Sequence, residues 1–380
     1  MPRLLPRSIL HAQSENPLLA KLLPTCRSLA SARNELRWLR EHAIDHHATE
    51  RSPASKGDNN NWRARLKELV ARRARGEPLQ YVLGTEWFGD LELVCRPGVL
   101  IPRPDTATAI GYLVQRMLER DPHKWRKTLR VLDLCTGSGC VSLFFQHEWI
   151  RFMPVIPEIR TIGVDLSPKA ISLAQLNRDR LLRTKHEDVE RHKASQASHF
   201  YDTAFIESLS NTSFLHADVL EESQLWQKLE AEHSLAADIL LANPPYISRW
   251  GFQHSTERSV RRHEPKMALV PPLPFSIPGK DCPKRADSDD LGDLFYEPLV
   301  KTALKSDAKI VWFEVADIEQ AARVAHLITS MASARPEQLE LWREEPMPGI
   351  EGLEGKDEIY QGFIVKGRGN GRSVVWWRDG

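Results

Sequence analysis

Cysteine is scarce in this chain of 380 residues: there are five, an odd number, scattered as Cys26, Cys95, Cys135, Cys140 and Cys282. They lack metal-ligand spacing and outline no disulfide framework, which fits a reducing compartment. The 14 histidines show no paired zinc-ligand pattern either. An excess of charge is missing too. The formal net charge is +1, so no global field draws the chain to nucleic acid or to a membrane surface. No apolar run is long enough to span a bilayer. Acids are absent from Met1 to Ser14, where Arg3, Arg7 and His11 stand. That basic, weakly amphipathic start has the composition of an organellar targeting segment over the first ~15–25 residues. Leu4, Leu5, Ile9 and Leu10 equally suit an ordinary first helix.

What remains is ordinary globular composition, 41% hydrophobic and 27% charged, in a chain long enough for two domains. From Asn16 to about His47 leucines recur with helical spacing, and Trp62 to Arg75 reads as a further helix closed by Gly76. Residues 1–76 are thus expected to form a small helical domain, with a polar loop from Thr49 to Asn61. Residues 77–104 change character. Tyr81 to Gly84 and Glu86 to Val94 read as a β-hairpin, and Val99 to Thr106 as an extended connector. From 105 onward strands and helices alternate: strands at Leu129–Leu134, Thr161–Leu166, Ser213–His216, Ile239–Ala242 and Ala308–Val315, and closing strands over Glu358–Val365 and Val374–Trp377. Such alternation predicts an α/β fold, a doubly wound sheet. Two polar stretches, 183–211 and 271–290, lack periodicity and read as surface insertions.

Four strand ends carry chemistry. Asp133-Leu134-Cys135-Thr136-Gly137-Ser138-Gly139 is a strand, a glycine turn and a helix start, where the backbone can approach a ligand closely. It is not the dinucleotide fingerprint, since Ser142 stands where a third glycine would be. Asp133 is placed for a cationic amino-acid moiety. Asp165 ends the next strand, where an acid can hold two ribose hydroxyls. Asp218, followed by Val219, can accept from an adenine amino group. Singly, each acid reads as a cap or a surface residue; three on successive strand ends outline one crevice. The fourth end is Asn243-Pro244-Pro245-Tyr246. An Asn and a Pro carbonyl side by side form an acceptor pair for an NH₂ group, the second Pro stiffens the loop, and the Tyr offers a flat face. The plain alternative is a Pro-Pro that merely ends a strand.

Together these features resemble class I S-adenosylmethionine-dependent methyltransferases acting on nitrogen. More specific segments are similar to the HemK family of release-factor glutamine methyltransferases. They are Arg75 to Gly84, Trp87-Phe88-Gly89, Leu100 to Thr106, Asp165 to Ala170, and His263-Glu264-Pro265 leading to Ala268-Leu269. Two departures stand out: Cys135 where the turn commonly has Gly, and Val219 where bacterial members often carry Trp.

The resemblance implies a seven-stranded Rossmann-like sheet and methyl transfer to the Gln amide of a release factor's Gly-Gly-Gln motif. Asn243 and the Pro244 carbonyl would accept the two amide hydrogens, with Pro245 and Tyr246 completing the substrate site. Asp133, Cys135, Thr136, Gly137, Ser138, Gly139, Asp165, Asp218, Val219 and Asn243 would bind S-adenosylmethionine. Pro102-Arg103-Pro104 reads either as a stiff connector or as a segment over the reacting centre. Expected partners are a class I release factor, with no metal, nucleic acid or membrane, and a monomeric state. The expected compartment is the mitochondrion, with the cytoplasm as alternative. Two other readings stay open: a DNA or RNA adenine methyltransferase, and a non-catalytic protein that kept the cofactor site.

Overall fold

The computed structural model describes residues 5–49, 61–120, 127–153, 158–191, 196–233, 235–272, 292–347 and 358–378. The expected loop at 49–61 and the insertion at 271–290 fall almost wholly outside them. Two compact units emerge. One comprises 1–85, 95–97 and 257–263; the other comprises 86–94, 98–256 and 264–380.

The first unit is helical. The segment read as one helical stretch from Asn16 is broken into Pro17–Cys26 and Leu29–Thr49, preceded by Pro6–Glu15. The breaks have local causes. Leu18 N–H donates to Asn16 Oδ1 at 2.9 Å and Pro17 opens the helix, while Arg27, at φ 63°, ends it. Leu22, Leu23, Leu39, Leu69 and Val70 meet in its core with helix Asn61–Ala74. Tyr81 to Gly84 is not a strand: Leu79–Leu83 is a short helix, terminated by Gly84 at φ 84°. The hairpin consists of β1 (Thr85–Phe88) and β2 (Leu91–Val94) alone.

The second unit is built on β3 (Thr128–Leu134), β4 (Glu158–Asp165), β5 (Thr212–His216), β6 (Ile239–Ala242), β7 (Ile310–Glu314), β8 (Leu339–Glu345), β9 (Glu358–Tyr360), β10 (Phe363–Lys366) and β11 (Arg368–Trp377). They form one sheet ordered β5-β4-β3-β6-β7-β11-β8-β10-β9. Strands β3 to β7 run parallel, and β11 is antiparallel to both β7 and β8. The sheet has nine strands rather than the expected seven, because Glu358 to Val365 divides at Gln361-Gly362 and the pair β9–β10 extends the edge. Strand β8 has no counterpart among the expected strands.

Side-chain alternation explains why both faces are covered. Leu129, Val131, Ile239, Leu241 and Trp312 pack into one core layer with helices Pro104–Arg120 and Cys140–Phe152. Leu132, Leu134, Leu240, Ala242, Val311 and Phe313 pack into the other with helices Tyr296–Lys305 and Ile318–Ala332. The described residues of the stretch 183–211 are largely helical rather than aperiodic. Helix Pro168–Arg191 continues into it, and Gln196–Ser210 forms another helix that buries Phe205 and Leu209. Apolar anchors are so sparse there that helical periodicity is hidden under charge. Among the described residues no helix is long and apolar enough to cross a membrane.

Candidate active site

A cavity of about 570 Å³ opens at the C-terminal ends of β3, β4, β5 and β6, wholly within the second unit. This is where open α/β sheets bind ligands. The turn after β3 supplies one wall. Cys135 (φ 62°), Gly137 (φ 57°) and Gly139 (φ 79°) all lie in the left-handed region. A Cβ on Gly139 would meet Ala174, Leu143 and Phe214 at 3.2 Å each, whereas one on Gly137 would meet nothing within 4 Å. The first glycine therefore bares its backbone, and the second lets the helix pack tightly behind it. Cys135 adopts this conformation without glycine's freedom, a strain of about 1 kcal/mol.

The three acids occupy distinct environments. Asp133 is 1% exposed and does not line the cavity. Thr136 Oγ1 donates to its Oδ2 at 2.6 Å, and Oδ1 is buried without a hydrogen bond of ordinary geometry. Burial pushes its pKa up to about 6, against the opposing pull of Thr136 and Ser142. Asp165 lines the cavity and accepts from Gly137 N–H at 2.9 Å and Ser167 N–H at 2.8 Å. Burial raises its pKa, and the two amides counter that shift. Asp218 also lines the cavity; Leu220 N–H donates to its Oδ1 at 2.9 Å, and buried Val219 lies beside it.

Asn243 and Pro245 also line the cavity, as do Thr136 and Ser138; Pro244, Tyr246 and Gly139 do not. The Asn243 side chain is half-buried and forms no hydrogen bond to a described residue. Tyr246 is turned elsewhere: its hydroxyl donates to Glu314 Oε1 at 2.9 Å.

The segments 100–106 and 263–265 meet in a physical partnership. Glu264, 6% exposed, accepts from Ile101 N–H at 3.1 Å and from Arg103 Nη2 at 2.8 Å. This ties the segment 100–103, which lines the cavity, to the chain after Asn243–Tyr246. Burial works to lower the Arg103 pKa, but Glu264 outweighs it and the net shift is upward. Glu314 was not anticipated, although an acid closing the apolar strand Ile310–Glu314 repeats the pattern of Asp133 and Asp165. It is 2% exposed, accepts from Thr106 Oγ1 at 2.6 Å, and is pushed by burial up to about 7.

Among the described residues, one group of side chains away from the cavity has metal-ligand character. Asp90, His147 and Glu148 bring one donor atom each within 4.8 Å of one another. Arg151 already pairs with both carboxylates, at 2.5 Å and 3.5 Å.

The cavity fits S-adenosylmethionine. The bare Gly137 backbone, Asp165 and Asp218 each face it, and Asp133 keeps an unsatisfied anionic oxygen beneath the turn. Fold and site together define a class I S-adenosylmethionine-dependent methyltransferase. The family described as the PrmC N-terminal domain matches residues 21–84. Over 259 residues the chain is 33% identical to the "Probable MRF1 mitochondrial N(5)-glutamine methyltransferase mtq1" of Schizosaccharomyces pombe, covering 67% of this chain and 69% of that one. It is 28% identical to the mitochondrial MRF1 N(5)-glutamine methyltransferase of Saccharomyces cerevisiae, over 71% of this chain and 68% of that one. With a release factor glutamine methyltransferase of Geobacter sulfurreducens it shares 33% identity, over 54% of each chain. The chain belongs to the family of release-factor N(5)-glutamine methyltransferases.

Proposed function

We propose that this enzyme transfers a methyl group from S-adenosylmethionine to the side-chain amide nitrogen of the Gln in the Gly-Gly-Gln motif of a class I peptide chain release factor. The observation that carries the reading is Asn243, presented to the cavity by a proline-stiffened loop, with no described protein partner to occupy its amide.

S-adenosylmethionine supplies an electrophilic methyl group on a cationic sulfur. Asp165 suits its two ribose hydroxyls and Asp218 its adenine amino group, with Val219 against the base. The backbone of 135–139 cradles the amino-acid end, and Asp133 attracts its ammonium. Asn243 Oδ1 accepts one hydrogen of the substrate amide, and the Pro244 carbonyl, carried between the two cavity-lining residues Asn243 and Pro245, accepts the other. These two bonds turn the nitrogen lone pair toward the methyl carbon. As the N–C bond forms, the C–S bond breaks, and the methylated nitrogen loses one proton to solvent. No general base is required, so catalysis is positioning, which can supply about 7–11 kcal/mol in well-oriented systems. Pro245 walls the amide, and Tyr246 anchors the loop from behind rather than stacking on the substrate.

The helical first unit is suited to gripping the release factor away from its Gln. Two relatives whose names place them in mitochondria favour a mitochondrial substrate. Mass spectrometry of the Gly-Gly-Gln peptide, after incubation of mitochondrial and cytosolic release factors with enzyme and S-adenosylmethionine, tests the reading. A 14 Da gain on the Gln is expected. No gain on either factor, or methylation of adenine in DNA or RNA instead, would overturn it.

A further inference from the structure

Glu314 is a buried carboxylate that forms no ion pair with any described residue. The groups facing it are Asp105 and Thr106 from helix Pro104–Arg120, Tyr246 from the loop after β6, Tyr296 from helix Tyr296–Lys305, Cys140 from helix Cys140–Phe152, and Arg372 from β11. Arg372 is engaged elsewhere, with Asp105 at 3.1 Å and Glu344 at 3.6 Å. Among the described residues no cation forms an ion pair with Glu314. Two hydroxyls hold it instead, Tyr246 on Oε1 and Thr106 on Oε2, while the Tyr296 hydroxyl donates to its backbone carbonyl at 2.8 Å. An unpaired acid here costs folding free energy, and a neutral side chain would fill the same space more cheaply. Its partners explain the placement. Tyr246 closes the Asn243–Tyr246 loop, and Thr106 stands three residues after Arg103, which lines the same cavity.

We propose that Glu314 is a positioning residue of the methyl transfer: its carboxylate clamps Tyr246 to Thr106 and so fixes where Asn243 meets the substrate amide. This rests on the glutamine-methylation reading above. Ionised, the carboxylate accepts from both hydroxyls at once. Protonated, or replaced by an amide, it offers one full acceptor fewer: one hydroxyl must reverse its role and accept, and the charge-assisted bonds that hold the two together are lost. The loop then shifts, and small misplacements of a reacting group cost on the order of 100-fold in rate.

The test is a double-mutant cycle on Gln methylation with Glu314→Gln, Tyr246→Phe and the double variant, alongside S-adenosylmethionine affinity and melting temperature. Each single variant should lower kcat about 10- to 100-fold. The double variant should fall within about threefold of the worse single one, because both act through the same link. Cofactor affinity should stay within threefold, and at pH 8 the melting temperature of Glu314→Gln should not fall. The acid limb of the wild-type kcat profile should flatten in Glu314→Gln. Multiplicative losses in the double variant, or a kcat loss that follows a loss of melting temperature, would refute the clamp. Absence of wild-type turnover would instead refute the methylation reading itself.

Discussion

Replacing Asn243 by Ala separates positioning from folding more cleanly than any other change to this site. The side chain is half-buried, lines the cavity and has no described hydrogen-bonding partner in the protein. Truncation therefore breaks no internal bond, and the folded state should change by under about 0.5 kcal/mol. The substrate amide loses one of two acceptors. A single preorganised polar group aimed at a reacting centre is worth about 2.7–4 kcal/mol, or roughly 100- to 1,000-fold in kcat. The loss falls on kcat rather than on cofactor binding, because Asp165, Asp218 and the turn at 135–139 remain intact. The assay is single-turnover transfer of labelled methyl to a release factor, paired with calorimetric titration of S-adenosylmethionine and a urea melt. A variant that keeps kcat within tenfold of wild type, or that binds the cofactor more than tenfold more weakly, would refute this role for Asn243.

Other expectations follow from the same geometry. Cys135→Gly relieves the φ of 62° but loosens the unfolded chain, so stability at neutral pH should rise by about 0.5 kcal/mol. A loss above 1 kcal/mol in urea denaturation would show that the thiol is needed. Glu264→Ala strips the acceptor from Ile101 N–H and Arg103. It should destabilise by about 3 kcal/mol, the low end for a broken buried pair because Arg103 is 32% exposed; S-adenosylmethionine affinity should weaken in parallel, and a stability change under 1 kcal/mol contradicts the reading. Glu314, raised from 4.5 to about 7, contributes stability that is fully present below pH 4.5 and lost as pH rises through 7. Glu314→Gln lacks that loss, so its stability relative to wild type should improve by up to about 1.4 kcal/mol per pH unit across this window. Comparing the two proteins at each pH cancels the opposite slope from His147, lowered by burial to about 4. A flat difference would place the Glu314 carboxyl in a wetter environment.

Legibility varied with the range of the interactions involved. The strands carrying Asp133, Asp165 and Asn243 were readable, since strands buried on both faces are short apolar runs whatever surrounds them. The helix start at Asn16-Pro17 was readable, because the cap and the proline are local, whereas the break at Arg27 was hidden by leucine spacing that runs through it. The strand expected at Tyr81–Gly84 failed for the opposite reason: β-rich residues there form one helical turn ending at a glycine. Helix 196–210 was hidden because its anchors, Phe205 and Leu209, are few. Strand β8, with buried Leu339, Leu341 and Trp342 beside charged neighbours, declares itself only through pairing with β10 and β11.

The sequence alone determined the chemistry available to this protein: an acceptor pair stiffened by two prolines, a glycine turn, and acids at successive strand ends. Those features are local, since residue type and backbone restriction confer them wherever the chain goes. Tertiary structure decided which of them meet. Asp165, Asp218 and Asn243 share a cavity because β4, β5 and β6 enter one parallel sheet, whereas Asp133 is drawn beneath the turn and Tyr246 points away to Glu314. The pairs Arg103–Glu264 and Tyr246–Glu314 join positions 161 and 68 residues apart. No local preference encodes such pairings; they exist only where burial makes an unpaired polar group too costly to leave alone.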